Sequence, residues 1–143
     1  MAVYTEKSGF DYPAHSDARV RYYEVIVDYD EVVAARASAG ETALTAGDGL
    51  AVIDVGANSV LLAAGVEVTT ASSSGSSPVV DFGYGGGTAA FTSDLAADAA
   101  GSESNALAAP IVFAADDTLD LLLKTALPTG AVFRVFAAVI DCS

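Results

Sequence analysis

The run Ser-Val-Leu-Leu-Ala-Ala-Gly-Val-Glu-Val-Thr-Thr-Ala at Ser59 to Ala71 constrains the fold more than any other stretch of the chain. Val60, Leu62, Ala64, Val66, Val68 and Thr70 share one parity, while the other, with Glu67 and Thr69, becomes smaller and more polar toward the C-terminal half. Successive side chains of a strand point to opposite faces, so this alternation predicts a long strand with its even-numbered face inward. Gly65 sits in its middle, where a missing side chain weakens pairing and marks a bulge or bend, and the strand is expected to cross a corner between two sheets there.

The same period recurs along the chain. From Arg21, Tyr23, Val25, Val27 and Tyr29 alternate with Glu24, Asp28 and Asp30, the pattern of a half-buried strand. Glu31 to Arg36 either continues it or forms a brief helical turn. Leu50 to Val55 reads as a short strand joined through Gly56-Ala57-Asn58-Ser59 to the run above, which predicts a hairpin. Val80, Phe82 and Tyr84 form another strand face, broken by Gly85-Gly86-Gly87. After Phe91, Asp94 either caps one helical turn over Leu95 to Ala100, closed by Gly101, or the stretch is an Ala/Ser-rich loop extending to Asn105. Ile111 to Phe113, Leu119 to Leu123 and Ala131 to Ile140 complete the strands. In the last, Phe133, Val135, Ala137 and Val139 face in, and Phe136 and Ile140 face out, which predicts a second covering such as another subunit. About eight short strands between Gly, Pro and Ser turns describe an all-β fold, an antiparallel sandwich or barrel with the jelly roll as first choice.

The 143 residues suit one domain, and 29 alanines make its core a closely packed one. Residues 1–18 are read as an extended N-terminal arm and 19–143 as the sandwich domain. The arm has no sustained period, yet it carries Tyr4, Phe10 and Tyr12. No window approaches the roughly 18 apolar residues of a membrane span, and no signal-peptide pattern opens the chain, so a soluble protein with no membrane partner is expected. A net charge of −13, from 19 acidic against six basic residues, would repel phosphate backbones and argues against nucleic acid as a partner. That charge fits either adaptation to a salty medium or a role in assembly.

Chemistry is sparse. Gly83-Tyr84-Gly85-Gly86-Gly87 has no following Lys-Ser/Thr and no helix, so it reads as a strand-terminating turn rather than a phosphate loop. Asp28-Tyr29-Asp30-Glu31 and Asp116-Asp117-Thr118-Leu119-Asp120 could offer oxygen ligands to a hard cation, but neither has the spacing of a calcium loop, and solvated turns are the favoured reading. His15, the one histidine, falls in the arm, the serines cluster at Ser72 to Ser77 away from it, and Cys142 stands alone. No catalytic, cofactor-binding or metal-binding residue is assigned, and no enzymatic activity is expected.

Val66-Glu67-Val68-Thr69-Thr70-Ala71, Val80-Asp81-Phe82-Gly83-Tyr84-Gly85-Gly86, Asp117-Thr118-Leu119-Asp120-Leu121 and Thr129-Gly130-Ala131-Val132-Phe133-Arg134-Val135, in that order, resemble the small head decoration, or cement, proteins of tailed bacteriophages, with marine phages and cyanophages as the expected nearest relatives. The resemblance spans about residues 19 to 143. It implies a non-catalytic virion protein on the outer surface of the phage head, assembled in the host cytoplasm, with the major capsid protein as partner and a homotrimer as the common state. Tyr4, Phe10 and Tyr12 in the arm, with Phe136 and Ile140 on the sandwich, are the candidate interface residues. The second reading is a fibre or adhesin module that binds host-surface glycans.

Overall fold

The computed structural model describes the backbone at residues 4–8, 12–13 and 19–141, and side chains at 20–102 and 110–141. Phe10, His15 and Cys142 lie outside the described residues, as do the side chains of Tyr4 and Tyr12.

Among the described residues ten strands and one helix follow one another as β1 (Tyr4–Ser8), β2 (Tyr12–Pro13), β3 (Arg19–Asp28), α1 (Tyr29–Ser38), β4 (Gly49–Val55), β5 (Ser59–Thr70), β6 (Val79–Tyr84), β7 (Gly87–Ala96), β8 (Gly101–Phe113), β9 (Asp117–Lys124) and β10 (Val132–Asp141). One sheet has the order β1-β3-β10-β5-β8, with β2 also paired to β3, and the other has the order β4-β9-β6-β7. Every strand pair is antiparallel. From β3 onward successive strands change sheets or partners so that β3-β10-β5-β8 faces β4-β9-β6-β7, the order of a jelly roll. The expected all-β sandwich is the fold, and β1 and β2 extend its first sheet beyond β3.

The core lies between the sheets. Phe82, Phe91, Phe133, Leu61, Leu119, Leu121 and Leu123 are fully buried there, with Val25, Val27, Val66, Val68 and Val135. Phe91 meets Phe82 edge-on at 5.2 Å between ring centres and stacks on Tyr84 at 5.9 Å, and Tyr84 meets Phe113 edge-on at 5.6 Å. Offset and edge contacts of this kind suit the ring quadrupoles and add to the area they bury. In β10, Phe133, Val135, Ala137 and Val139 are inward as the alternation predicts.

Three local expectations are corrected. Within β5, Ala64, Val66 and Val68 are buried as predicted, but Leu61 is the inward residue of the first half, while Val60 and Leu62 are only half-buried. The register explains the change: Ala138 pairs with Ala63 and Val139 with Leu61, so Leu62 is an extra residue opposite none. A bulge shifts every following side chain by one position, and the parity switches. The irregularities against β10 lie at Leu62 and at Thr69, and Gly65 pairs in register with Phe136.

The second correction concerns β4 and β5, which form no hairpin. β4 pairs with β9 in one sheet, and β5 pairs with β10 and β8 in the other, so Gly56–Asn58 carries the chain across the core. Asn58 turns it with φ 63° and donates its N–H to the Phe113 carbonyl at 2.7 Å, while Ala57 donates to Asp116 Oδ1 at 2.8 Å. Asparagine adopts this left-handed geometry more readily than most residues.

The third concerns Leu95 to Asn105, which is neither a helical turn nor one long loop: β7 runs through Ala96 and β8 begins at Gly101. Ser93 and Asp94 are the unpaired insertion between Thr92, opposite Phe82, and Leu95, opposite Val80. The open choice after β3 resolves as a helix instead, so Tyr29 belongs to α1 rather than to a strand. Asp28 caps α1 by accepting from the N–H groups of Asp30 at 3.1 Å and Glu31 at 3.3 Å. Acids in the first turn and Arg36 in the last complement the helix dipole. Gly40, with φ 69°, then ends it.

Candidate functional site

Outward-facing residues of the β3-β10-β5-β8 sheet form the most distinctive surface. Val20 pairs with Ile140, Ile140 with Val60 and Val60 with Val112, so four apolar side chains stand in one row across four strands. Val112 is 69% exposed and Val20 39%, with Ile140 and Val60 half-buried between them. The next row brings Tyr22, 39% exposed, opposite Ala138 and Ala63, and the row after it sets Phe136 between Glu24 and Gly65. Phe136 and Ile140 therefore share this face.

Charge is scarce there. Glu24, Arg134 and Glu67 occupy adjacent strands, and Arg134 binds Glu67 at 2.6 Å and Glu24 at 3.8 Å, a compact cluster that consumes the one cation among the face's described side chains. Exposed ion pairs contribute little stability, so the cluster chiefly keeps the face close to neutral. In a chain with net charge −13, a sheet face this low in free charge has the composition of an interface core.

At the end of the sandwich beside Val60 and Ile140, the loops before β5 and β9 enclose an open cavity of about 430 Å³ lined by Arg21, Tyr23, Asp54, Asn58, Asp116 and Asp141. Arg21 approaches Asp141 at 3.9 Å. Asp116 holds the Ala57 N–H, Asp117 accepts from the Thr118 N–H at 2.8 Å, and Asp120 accepts from the Thr118 hydroxyl at 2.6 Å. Burial raises the Asp120 carboxyl above its ordinary range, the Thr118 hydrogen bond opposes this, and the charge of Asp117 adds to it. Asp28 and Asp30 are likewise spent on structure, Asp30 accepting from the Gly130 N–H at 3.0 Å. Among the described residues no three His, Cys, Asp or Glu side chains are placed to hold a metal ion.

A second polar cluster joins β6, β7 and β9. Lys124 Nζ binds Asp94 at 2.5 Å and the buried Asp81 at 3.2 Å, and Asp94 donates its backbone N–H to Asp81 at 2.7 Å. The hydrogen bond to Asp94, then that to Asp81, raises the Lys124 ammonium above its usual range, and the bond from Lys124 lowers the Asp94 carboxyl. The ion pairs of Lys124 tie β6, β7 and β9 together.

Ser72 and Ser73 are also structural: both hydroxyls donate to the Thr129 carbonyl, at 2.8 and 3.3 Å. The glycine run is the turn expected, with Tyr84 opposite Gly87 across Gly85-Gly86. Sequence reasoning missed Val20, Tyr22, Val60 and Val112. Tyr22 and Val20 sit on the parity assigned to acids, and the row they belong to exists only through cross-strand register.

The chain is similar in fold to two chains from phage capsid structures. One comes from the acidic stable capsid structure of Helicobacter pylori bacteriophage KHP30, with a TM-score of 0.58 and 8% identity over 99% of this chain and 95% of that one. The other comes from the cyanophage Pam1 capsid asymmetric unit, with a TM-score of 0.54 and 13% identity over 92% of each chain. No protein-family model matches the sequence, and no curated protein sequence does. Likeness at such low identity establishes a common fold, and the correspondence takes in nearly the whole length of all three chains.

Proposed function

We propose that this chain is a structural decoration protein of a tailed-phage head, which binds the outer surface of the assembled capsid as a homotrimer and stabilises the shell. The observation that carries the reading is the full-length likeness to chains from two phage capsid structures. The low-charge outer face of the β3-β10-β5-β8 sheet supports it, because a protein that decorates a lattice needs a surface for contact and no reaction centre. Its partner is the major capsid protein. Contacts on several capsid subunits at once multiply through effective concentration, so modest surfaces suffice once the lattice presents them together.

In this reading residues 1–18 are a docking arm, with Tyr4, Phe10 and Tyr12 as anchors, since aromatic side chains supply much of the energy of an interface. Phe136 and Ile140 belong to the contact face of the sandwich. Removing residues 1–18 is expected to abolish binding to heads while the remaining sandwich stays folded by circular dichroism. Full occupancy of heads by the truncated chain would remove the arm from the account.

Co-sedimentation with heads assembled without the chain tests the function, and sedimentation equilibrium of the free chain tests the trimer. Saturable binding to heads is the expected result. Failure to bind heads together with specific binding on a glycan array would favour the adhesin reading instead.

A further inference from the structure

We infer that the apolar row Val20, Ile140, Val60 and Val112, together with the acidic end of the sandwich beside it, is one composite docking surface for a protein partner that presents an apolar patch bordered by basic groups. The inference rests on the decoration reading and goes further by naming the face and the chemistry of what sits on it.

The two parts are continuous. Ser59 and Asp141 are the immediate chain neighbours of Val60 and Ile140 and pair with each other, and both line the acidic cavity. On the other side, the Asn58 N–H is bound to the carbonyl of Phe113, next to Val112, and Asp116 closes the same cavity. Neighbouring side chains of a strand alternate between faces, so the row and the carboxylates stand on opposite sides of the sheet and meet at the rim where these strands end.

Size and charge select the occupant. Four apolar side chains on strands about 4.8 Å apart, with Tyr22 and Phe136 in the rows beside them, cover far less than the roughly 800 Å² per partner of a specific interface. A stable contact must extend beyond the row, and its nearest extension is acidic. A second copy of this chain would meet that extension badly. A copy has only six basic residues against 19 acidic ones to bring to it, and among the described side chains the cations Arg21, Arg36, Lys124 and Arg134 already hold ion pairs. A partner with lysines or arginines around an apolar centre gains both from burial and from complementary charge.

The test is co-sedimentation of the full chain with heads assembled without it, using Val112→Lys, Val112→Asp and Asp54→Asn, with Val33→Asp on α1 as the control. Val112 is largely exposed and Asp54 is exposed, so these variants fold. Val112→Lys is expected to weaken binding by at least about tenfold and more than Val112→Asp. Asp54→Asn is expected to weaken it and flatten its dependence on salt. The difference between the two Val112 variants should vanish near 1 M salt, where the screening length is about 3 Å.

Val33→Asp should bind as the unchanged chain does. If both Val112 variants bind heads like the unchanged chain, the face is wrong and the decoration reading stands. If they instead lower the oligomeric mass of the free chain, a second copy occupies the row and the basic partner is overturned. If the unchanged chain binds no head, the decoration reading fails first and this inference with it.

Discussion

Gly83 shows how much one residue can decide. A Cβ built there would lie 2.0 Å from the Gly87 carbonyl oxygen and 2.5 Å from the Thr88 carbonyl carbon, both backbone atoms that no rotamer change can move. Gly83→Ala must therefore part β6 from β7, and overpacking of this kind costs about 1–3 kcal/mol or more. A fall in the urea midpoint with an unchanged slope is the expected outcome. An unchanged midpoint would mean that β7 does not lie where it is placed.

Asp120 gives a prediction of opposite sign. Its carboxyl is raised by burial, so the folded chain holds that proton more tightly than the unfolded chain does. The charged form costs stability above the raised value, and the cost disappears as pH falls below the ordinary aspartate range. Asp120→Asn, which can still accept from Thr118, is expected to raise the urea midpoint at neutral pH and to leave it unchanged in strong acid. Asp94 and Lys124 behave the other way. The lowered Asp94 contributes stability above the ordinary aspartate range that is lost as pH falls through its folded value. The raised Lys124 contributes below the ordinary lysine range and loses its effect as pH rises through its folded value.

At the scale of the element, β5 marks the boundary between what local pattern reveals and what it conceals. The existence of the strand, its inward Ala64, Val66 and Val68, and all four inward residues of β10 follow from period-two alternation. The bulge at Leu62 does not, because both Leu61 and Leu62 are apolar and the choice between them is made by register against β10 and β8. The crossing between β4 and β5 was hidden for a related reason. A short Gly- and Asn-containing turn serves a hairpin and a sheet-to-sheet crossing equally well, and only the distant partners β9 and β10 distinguish them.

Paired substitutions test the bulge. Leu61→Asp and Val66→Asp each place a charge at a site with no exposure and are expected to unfold the sandwich. Leu62→Asp, at a half-exposed site, is expected to leave a cooperatively folded protein by circular dichroism and thermal melting. The reverse order for Leu61 and Leu62 would restore an uninterrupted strand.

For the whole molecule, the fold class was legible because strand period and turn residues are local properties, repeated through the chain. The apolar outer row was legible only in part. Phe136 and Ile140 announce themselves as large apolar residues on the outward side of an alternating strand. Val20, Val60 and Val112 become a row only when four strands far apart in sequence lie in register. Charge completes the picture at this scale: the chain carries a net −13, while the described charges on one sheet face are held in a single cluster around Arg134. Raising ionic strength should therefore weaken attachment to heads, since it screens the complementary charge at the acidic end, and sedimentation at several salt concentrations would measure this.

The most direct measurement is an electron cryo-microscopy map of heads reconstituted with this chain. The account predicts ordered density on the outer surface of the shell, in threefold groups, with the Val20–Val112 row and the acidic end turned toward capsid subunits. Density confined to a tail or fibre, or heads that remain bare at saturating protein, would contradict it.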